Sequence, residues 1–173
     1  MRQHNIYIGL GSNVGDRIKA LRAAITRLSR ELVIVKISEL YVAAPLGYVR
    51  DDAFINCVLH AQTQIAPLEL LSVLQRIEIE LGRQPGVQYG PRPIDLDILF
   101  YDNLLVDSPL LKIPHPDLPK RAFVLLPLAE IAPNLVHPVL YYTAKQLLQD
   151  ADDVRSVQRY LLPNAPAQAR ASV

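Results

Sequence analysis

Asp95 and Asp97 lie in a short segment whose residue types and spacing could hold a divalent cation. Apolar residues alternate with these acids through residues 94–100, which predicts a β-strand with both carboxylates on one face. Neighbouring carboxylates repel unless a cation lies between them, and Mg²⁺ commonly combines one or two carboxylates with substrate phosphates. Arg92 precedes the strand and could contact those phosphates. The segment therefore predicts phosphoryl transfer; the alternative is a pair of solvated charges on an exposed sheet face.

Three further side chains could contact a phosphate chain. His115 lies between two prolines, in a constrained loop near Arg121, and could donate a hydrogen bond to a phosphate oxygen. Arg83 begins a loop rich in glycine and proline, and could neutralise charge in the transition state. The alternatives are a structural histidine and ordinary surface cations.

Asn56 lies within an apolar segment, where an unpaired amide would be costly. Its donor and acceptor atoms suit a flat heterocycle with an amide edge, and Phe54 and Phe123 could stack on the faces of such a ring. The alternative is a set of core aromatic residues with an asparagine that is hydrogen-bonded internally.

The glycine-rich segment 9–15 resembles a phosphate-binding loop only superficially. It matches neither the dinucleotide-binding pattern nor the P-loop pattern, and it contains no lysine. A tight turn before a helix explains these glycines better, so a Walker-type nucleotide site is not expected.

Composition limits the classes of protein that fit this chain. The 173 residues are 50% hydrophobic and 20% charged, with a formal net charge of +1, which favours a globular domain over a broad nucleic-acid or membrane surface. Cys57, the single cysteine, lies in an apolar segment and is expected to be a buried, inert thiol. The N-terminus lacks the apolar core of a signal peptide, and no apolar stretch is long enough to cross a membrane, so we expect a cytoplasmic protein.

The pattern of elements predicts an α+β fold with one domain over residues 1–162. The expected order is β-α-β-β-α-β, with strands at 6–10, 32–41, 54–64 and 94–101 and helices at 17–30 and 67–81. This order is typical of a ferredoxin-like sandwich, a mainly antiparallel sheet with helices packed on one face. The strand residues expected to face those helices are Ile94, Leu96, Ile98 and Phe100. Farther along the chain we expect a short strand at 104–106, helices at 121–130 and 143–149, and a disordered tail at 163–173.

Together these segments resemble the 6-hydroxymethyl-7,8-dihydropterin pyrophosphokinase family over about residues 5–138. The most specific match is the block Gly90-Pro91-Arg92-Pro93-Ile94-Asp95-Leu96-Asp97. The other matching segments are 7–13, 45–47, 54–56, 75–78, 81–83, 113–116 and 121–125.

The resemblance implies an ATP-dependent enzyme that transfers pyrophosphate to the hydroxymethyl group of the pterin and leaves AMP, a step of folate biosynthesis. It implies two Mg²⁺ ions held by Asp95 and Asp97, and catalytic roles for these acids together with Arg83 and Arg92. The nucleotide site would include Gln75, Glu78, Arg92, Ile98, His115 and Arg121. The pterin site would include Pro45, Leu46, Phe54, Asn56, Tyr89, Asp95 and Phe123. The resemblance also implies a monomer that could associate with another enzyme of folate biosynthesis.

Several positions depart from the usual family pattern and keep a second interpretation open. Pro85, Gln88 and Leu110 stand where the family often has basic residues, which reduces the positive charge near the expected phosphate site. Ala43 stands where a Thr is common near the pterin, and Tyr89 replaces a frequent Trp but can still stack. A catalytically inactive relative that binds pterin or nucleotide is therefore an alternative to the enzyme. An RNA-binding domain fits less well, because it requires a basic surface and exposed aromatics where this sheet carries two acids.

Overall fold

The computed structural model describes residues 2–43, 53–84 and 92–162 of the chain. Its strands are β1 His4–Ser12, β2 Val33–Ile37, β3 Tyr41–Ala43, β4 Ile55–Thr63, β5 Asp95–Tyr101, β6 Val106–Asp107, β7 Lys112–Ile113 and β8 Val157–Arg159. Its α-helices are α1 Arg17–Leu28, α2 Pro67–Glu80, α3 Ala122–Ile131 and α4 Ala144–Gln149, with short 3₁₀ turns at Leu118–Lys120 and Val154–Ser156.

The main sheet is antiparallel, with strand order β5-β1-β4-β3-β8 and β2 also paired with β4. β2 and β3 correspond to the single strand expected at 32–41, which is interrupted near Ser38. The Ser38 hydroxyl accepts the backbone N–H of Val58, while the Ser38 N–H donates to the Val58 carbonyl, so the two strands stay connected through the break. The antiparallel α+β architecture predicted from the sequence is confirmed.

The first helical layer, α1 and α2, covers one face of the sheet. Asp16 caps α1 by accepting the Lys19 N–H at 3.0 Å, and Pro67 begins α2, where a missing N–H costs nothing. Gly82, at a φ of +99°, ends α2, a conformation that favours glycine. The side chains that fill this layer are Leu21, Ala24, Leu28, Leu70, Leu74 and Ile77, packed on Ile6, Ile8, Leu10, Ile55, Cys57 and Leu59.

A second helical layer, α3 and α4, covers part of the opposite face, so the expectation of helices on one face only was wrong. Its core contains Leu118, Leu125, Leu128, Ala144 and Leu147, packed on Val58, Leu99 and Phe100 of the sheet. The strands carry apolar side chains on both faces in this half of the sheet, and both faces are therefore buried. Asp95 and Asp97 lie toward the other end of β5.

The prediction that Phe100 packs with Ile94, Leu96 and Ile98 was wrong because β5 contains a β-bulge. Opposite β1, the partner of Ile8 is Ile98 but the partner of Tyr7 is Phe100, which leaves Leu99 as the extra residue. Leu99 and Phe100 therefore both pack with the second layer, and Ile98 stays with the first. A strict alternation of side chains would place Phe100 on the same face as Ile98, so it cannot predict this change of face.

The C-terminal segment completes the domain. β8 pairs with β3, and Asp153 accepts the N–H of Ala122 at 3.1 Å, at the start of α3.

Cys57 is buried, as predicted, and burial raises the pKa of its thiol to about 12. The expected tail, 163–173, lies outside the described residues, and so does most of the expected glycine- and proline-rich loop that begins at Arg83. Within the described residues, no helix combines the length and apolar character needed to span a membrane.

Candidate active site

Asp95 and Asp97 lie on one face of β5, as the strand pattern predicted. The alternating residues Leu96 and Ile98 are buried in the core, whereas the two carboxylates are partly exposed. Across the sheet, Asp95 pairs with Gly11 and Asp97 pairs with Gly9. The neighbouring strand therefore contributes no side chains beside the acids.

Two guanidinium groups neutralise Asp95. Arg83 Nη1 donates to Asp95 Oδ1 at 2.8 Å, and Arg92 Nη1 donates to Asp95 Oδ2 at 2.8 Å. Among the described side chains, the Nε of Arg92 is a buried nitrogen without a hydrogen-bond partner. A buried donor left unpaired is costly, and it can be satisfied by an anionic ligand beside it.

Glu78, on α2, joins this cluster from the core side. Its carboxylate is 5% exposed, accepts the N–H of Leu96 at 2.7 Å and forms a close ion pair with Arg83. Burial raises the pKa of Glu78 to about 7, although the hydrogen bond from Leu96 and the charge of Arg83 act in the opposite direction. Glu78 thus contacts the backbone between the two aspartates and the arginine that pairs with one of them.

His115 approaches Asp97 from the loop after β7. The distance from His115 Nε2 to Asp97 Oδ1 is 4.0 Å, and the His115 N–H donates to the carbonyl of the bulged Leu99 at 3.0 Å. The Asp117 N–H donates to His115 Nδ1 at 3.2 Å, so in the neutral ring the proton lies on Nε2. The imidazole therefore presents a donor to the space beside Asp97.

Arg121 and Phe123 stand at the start of α3, next to the acidic strand. The Arg121 guanidinium donates to Asp117 at 2.6 Å and lies 5.7 Å from the centre of the Phe123 ring. Its positive charge also reaches Asp97, where it partly opposes the rise in pKa that burial causes. Both residues are partly exposed and available to a ligand.

Ser12 and Asn13 fix Arg92, a role that the sequence analysis missed. The backbone N–H of Arg92 donates to Asn13 Oδ1 at 2.7 Å, and the Ser12 hydroxyl donates to the Pro93 carbonyl at 2.6 Å. The glycine-rich segment was interpreted only as a turn before α1. Asn13 lies within this segment, and asparagine side chains often bond to backbone groups in turns, which was the signal for this contact.

Asn56 and Phe54 lie two strands away from Asp95, beside Gly11. Gly11 pairs with Asp95 on one side and with Asn56 on the other, so the three residues form one row across β5, β1 and β4, called here the cross-strand row. A Cβ on Gly11 would lie 2.8 Å from Asn56 Oδ1 and 3.3 Å from Phe54 Cδ1. Only glycine leaves Asn56 and Phe54 in these positions.

The remaining predicted site residues are distributed differently. Gln75 is exposed on α2, one turn before Glu78, and Ile98 is buried in the first core layer, so its side chain does not face the acids. Pro45, Leu46 and Tyr89 lie outside the described residues.

The electrostatics favour a cation beside Asp97. Partial burial, followed by the neighbouring charge of Asp95, raises the pKa of Asp97 despite the lowering effects of His115 and Arg121. In the part of the chain that the structure describes, no group of three or more His, Cys, Asp or Glu side chains is placed to hold a metal. A pair of carboxylates on one face nevertheless fits Mg²⁺, because substrate phosphates and water supply the other ligands.

Comparison with known proteins identifies the family. The family model described as 7,8-dihydro-6-hydroxymethylpterin-pyrophosphokinase matches residues 7–133. The chain belongs to this family. It is 46% identical over 134 residues to the 2-amino-4-hydroxy-6-hydroxymethyldihydropteridine pyrophosphokinase of Aquifex aeolicus, with 78% of this chain and 84% of that protein covered. It is 44% identical over 135 residues to the protein of the same name from Pseudomonas aeruginosa, with 77% and 83% covered. The family resemblance noted from the sequence, and with it the class of ATP-dependent pyrophosphokinase, is confirmed.

Other relatives are much longer than this chain. The folic acid synthesis protein fol1 of Pneumocystis carinii is 47% identical over 135 residues, which are 78% of this chain but 18% of that protein. A crystal structure of Plasmodium falciparum HPPK-DHPS, wild type with pteroate, superimposes with a TM-score of 0.74 at 17% identity, over 93% of this chain and 48% of that one. At this identity the superposition shows the fold, which confirms the ferredoxin-like class.

Proposed function

We propose that this chain transfers the pyrophosphate group of ATP to the hydroxymethyl group of 6-hydroxymethyl-7,8-dihydropterin, with AMP as the second product. The observation that carries the proposal is the cross-strand row, which sets a carboxylate and an amide on either side of a bare glycine. Adjacent strands are about 4.8 Å apart, so Asp95 and Asn56 are separated by roughly 10 Å. This span accommodates a bicyclic pterin whose hydroxymethyl group points toward the acids.

The pterin end of the row supplies recognition by shape and hydrogen bonding. Asn56 is 6% exposed, and among the described residues its amide donates only to the Phe54 carbonyl, at 3.4 Å, so it can pair with the amide edge of the ring. Phe54 and Phe123 are partly exposed and can stack on the ring faces. Pro45 and Leu46, which match the family pattern, and Tyr89, which can stack on the ring in place of the usual Trp, are proposed to complete the pocket.

The phosphate end of the row supplies charge. Asp95 and Asp97 would hold two Mg²⁺ ions, which neutralise the triphosphate and orient it when bound. Arg83 and Arg92 would move from Asp95 to phosphate oxygens, and the unpaired Nε of Arg92 provides a donor in the same place. His115 would donate from Nε2, and Arg121 would contact the same chain of phosphates.

The reaction then requires no nucleophile from the protein. The hydroxyl oxygen of the pterin forms a bond to the β-phosphorus, the bond from that phosphorus to the bridging oxygen of AMP breaks, and the hydroxyl proton passes to solvent. The side chains contribute by holding the reactants in line and by balancing the charge that develops on the phosphoryl oxygens. Gln75 and the Ile98 backbone region are proposed to lie along the nucleotide.

The finer properties of the protein belong to the same proposal. We infer a cytoplasmic monomer that uses two Mg²⁺ ions. Association with a second enzyme of folate biosynthesis is consistent with relatives such as the folate synthesis bifunctional protein of Arabidopsis thaliana, of which the matched region is 24%.

Release of AMP tests the proposal directly. The purified chain is incubated with ATP, Mg²⁺ and the pterin, and AMP is measured with and without the pterin. We expect pterin-dependent AMP release that is lost in Asp97→Asn and kept in Asp107→Asn, a matched change at an exposed acid that pairs with Lys112. A wild-type chain that binds both ligands without releasing AMP would instead be the inactive relative considered above.

A further inference from the structure

Glu78 is a buried carboxylate on the face of a helix that otherwise packs into the core. Its neighbours along this face, Leu70, Leu74 and Ile77, are all buried and apolar. A carboxylate in such a position is costly unless both its charge and its hydrogen-bonding capacity are satisfied. The partners that satisfy Glu78 therefore indicate what this residue does.

The first partner is the backbone of β5. β5 forms the edge of the main sheet, and the N–H of Leu96 donates to Glu78 Oε1 at 2.7 Å instead of to another strand. Leu96 lies between Asp95 and Asp97, so this contact holds the segment of strand from which both acids project.

The second partner is Arg83, which the turn at the end of α2 places next to Glu78. The N–H of Arg83 donates to the Glu78 carbonyl at 3.0 Å, and the N–H of Gly82 donates to the Ile79 carbonyl at 3.0 Å. With Gly82 at a positive φ, these bonds form a Schellman turn. The turn brings the Arg83 guanidinium back over the last turn of the helix, where it contacts the Glu78 side chain and Asp95 together.

We propose that Glu78 is a positioning residue for the phosphate site: it holds Arg83 and the β5 backbone in place and acts without touching the nucleotide. This inference rests on the proposed function and revises the direct nucleotide contact that the family resemblance implies for Glu78. When a metal-bound triphosphate takes over Asp95, Arg83 loses one of its two acceptors and keeps the other. Glu78 then limits where the guanidinium can go, which keeps it close to the transferred group.

The charge balance of the cluster supports this role. Asp95 and Glu78 are two carboxylates facing Arg83, and Arg92 pairs with Asp95. Without Glu78, Arg83 would be held by the one acid that a metal ion is expected to occupy. Glu78 is the carboxylate in this contact that stays available after substrate binds.

A double-mutant cycle between Glu78 and Arg83 tests the proposal. Glu78→Gln keeps the volume and the acceptor oxygen for Leu96 but removes the charge that holds Arg83. Glu78→Asp keeps the charge but shortens the side chain, so that it cannot reach both partners. We expect Glu78→Gln to lower kcat about tenfold or more in the wild-type background and less than about twofold when Arg83 is already Ala, whereas Glu78→Asp, which also disturbs the contact with Leu96, should lower kcat in both backgrounds. The matched control is Glu80→Gln, the same change on the same helix at an exposed glutamate that pairs with Arg27.

Binding provides a second readout that does not depend on turnover. The dissociation constant of Mg²⁺-ATP is measured by calorimetry without pterin, and thermal unfolding shows that each variant is folded. We expect the dissociation constant to change less than about threefold in Glu78→Gln while kcat falls. If Glu78 contacts the nucleotide directly, binding weakens as much as kcat falls, and it does so equally in the Arg83→Ala background. Either that pattern or an unchanged kcat would overturn the positioning role, whereas failure of the proposed function would be seen as inactivity of the wild-type chain itself.

Discussion

The two ends of the cross-strand row are organised by different physical interactions. At the phosphate end, Asp95 is held by Arg83 and Arg92, so its charge is balanced by two opposite charges in contact with it. At the pterin end, Asn56 and Phe54 are neutral, and their arrangement depends on the missing side chain of Gly11. One end is organised by compensation of charge and the other by steric fit, although a single strand separates them.

This difference predicts which substitutions each end tolerates. At the phosphate end, removal of one charge leaves others unpaired in a partly buried cluster, so effects should be large and should depend on pH and cations. At the pterin end, no ionisable side chain contributes to the row, so effects should follow volume and should be insensitive to pH. Substitutions at the two ends should therefore differ in the size of their effects and in their dependence on pH.

Asp95→Asn should produce the largest effect. The substitution preserves the volume of the side chain but removes the charge that two guanidinium groups share and that a metal ion would use. We expect pterin-dependent AMP release to fall by at least about 100-fold, a loss typical of removing a group that stabilises transition-state charge. A fall of less than tenfold would show that charge compensation at this end is not what drives the reaction.

The pH dependence of stability should come from the phosphate end. The pKa of Glu78 is raised from 4.5 to about 7 in the folded protein, so its protonated form favours folding. This contribution is complete below the unfolded pKa and is lost as the pH rises through the folded value. Relative to Glu78→Gln, the free energy of unfolding of the wild type should therefore fall by about 2 kcal/mol between pH 4.5 and pH 7. Urea denaturation at several pH values measures the free energy of unfolding of both proteins. A difference between the two free energies that stays constant with pH would contradict the prediction.

Gly11→Ala tests the pterin end. The added Cβ would lie 2.8 Å from Asn56 Oδ1, which is too close unless the asparagine moves. We expect the KM for pterin to rise about tenfold, with a smaller change in kcat and no dependence on pH. The control is Gly9→Ala, whose Cβ would meet Leu99 at an ordinary 3.5 Å and should leave the KM for pterin within about twofold. Equal KM values for the two variants would remove the steric argument.

Asp153→Ala should have the smallest effect, and it touches both ends at once. Asp153 accepts the N–H of Ala122, between Arg121 on the phosphate side and Phe123 on the pterin side. Loss of a helix-capping acceptor costs about 1 kcal/mol, so we expect a modest fall in melting temperature and a few-fold fall in kcat/KM. The neighbouring exposed Asp152→Ala serves as the control, and identical behaviour of the two variants would count against a capping role.

Much of the phosphate end could be predicted from the sequence. The alternation of apolar residues with Asp95 and Asp97 determines which face carries the acids, because the side-chain period of a strand is two. The same reasoning failed at Phe100, because a β-bulge depends on how β5 pairs with β1. The bulge cannot be seen in the alternation of apolar and polar residues along the sequence.

Contacts between distant segments were harder to predict. Asn13 and Arg92 are brought together by the pairing of β1 with β5, and Asp153 reaches α3 from the far end of the chain. In neither case does a local pattern identify the partner, because the long-range pairing of segments decides it. The same is true of Gly11, whose reason for being glycine becomes visible only when Asn56 and Phe54 are placed beside it.

Binding of Mn²⁺ is the direct test of whether Asp95 and Asp97 hold the cations. Free Mn²⁺ is measured by electron paramagnetic resonance during titration of the protein in the presence of a non-hydrolysable ATP analogue, since Mn²⁺ accepts the same oxygen ligands as Mg²⁺. We expect two bound ions in the wild-type chain and loss of both in the variant that carries Asp95→Asn and Asp97→Asn. Equal binding of Mn²⁺ by the two proteins would contradict the assignment of these acids as the cation site.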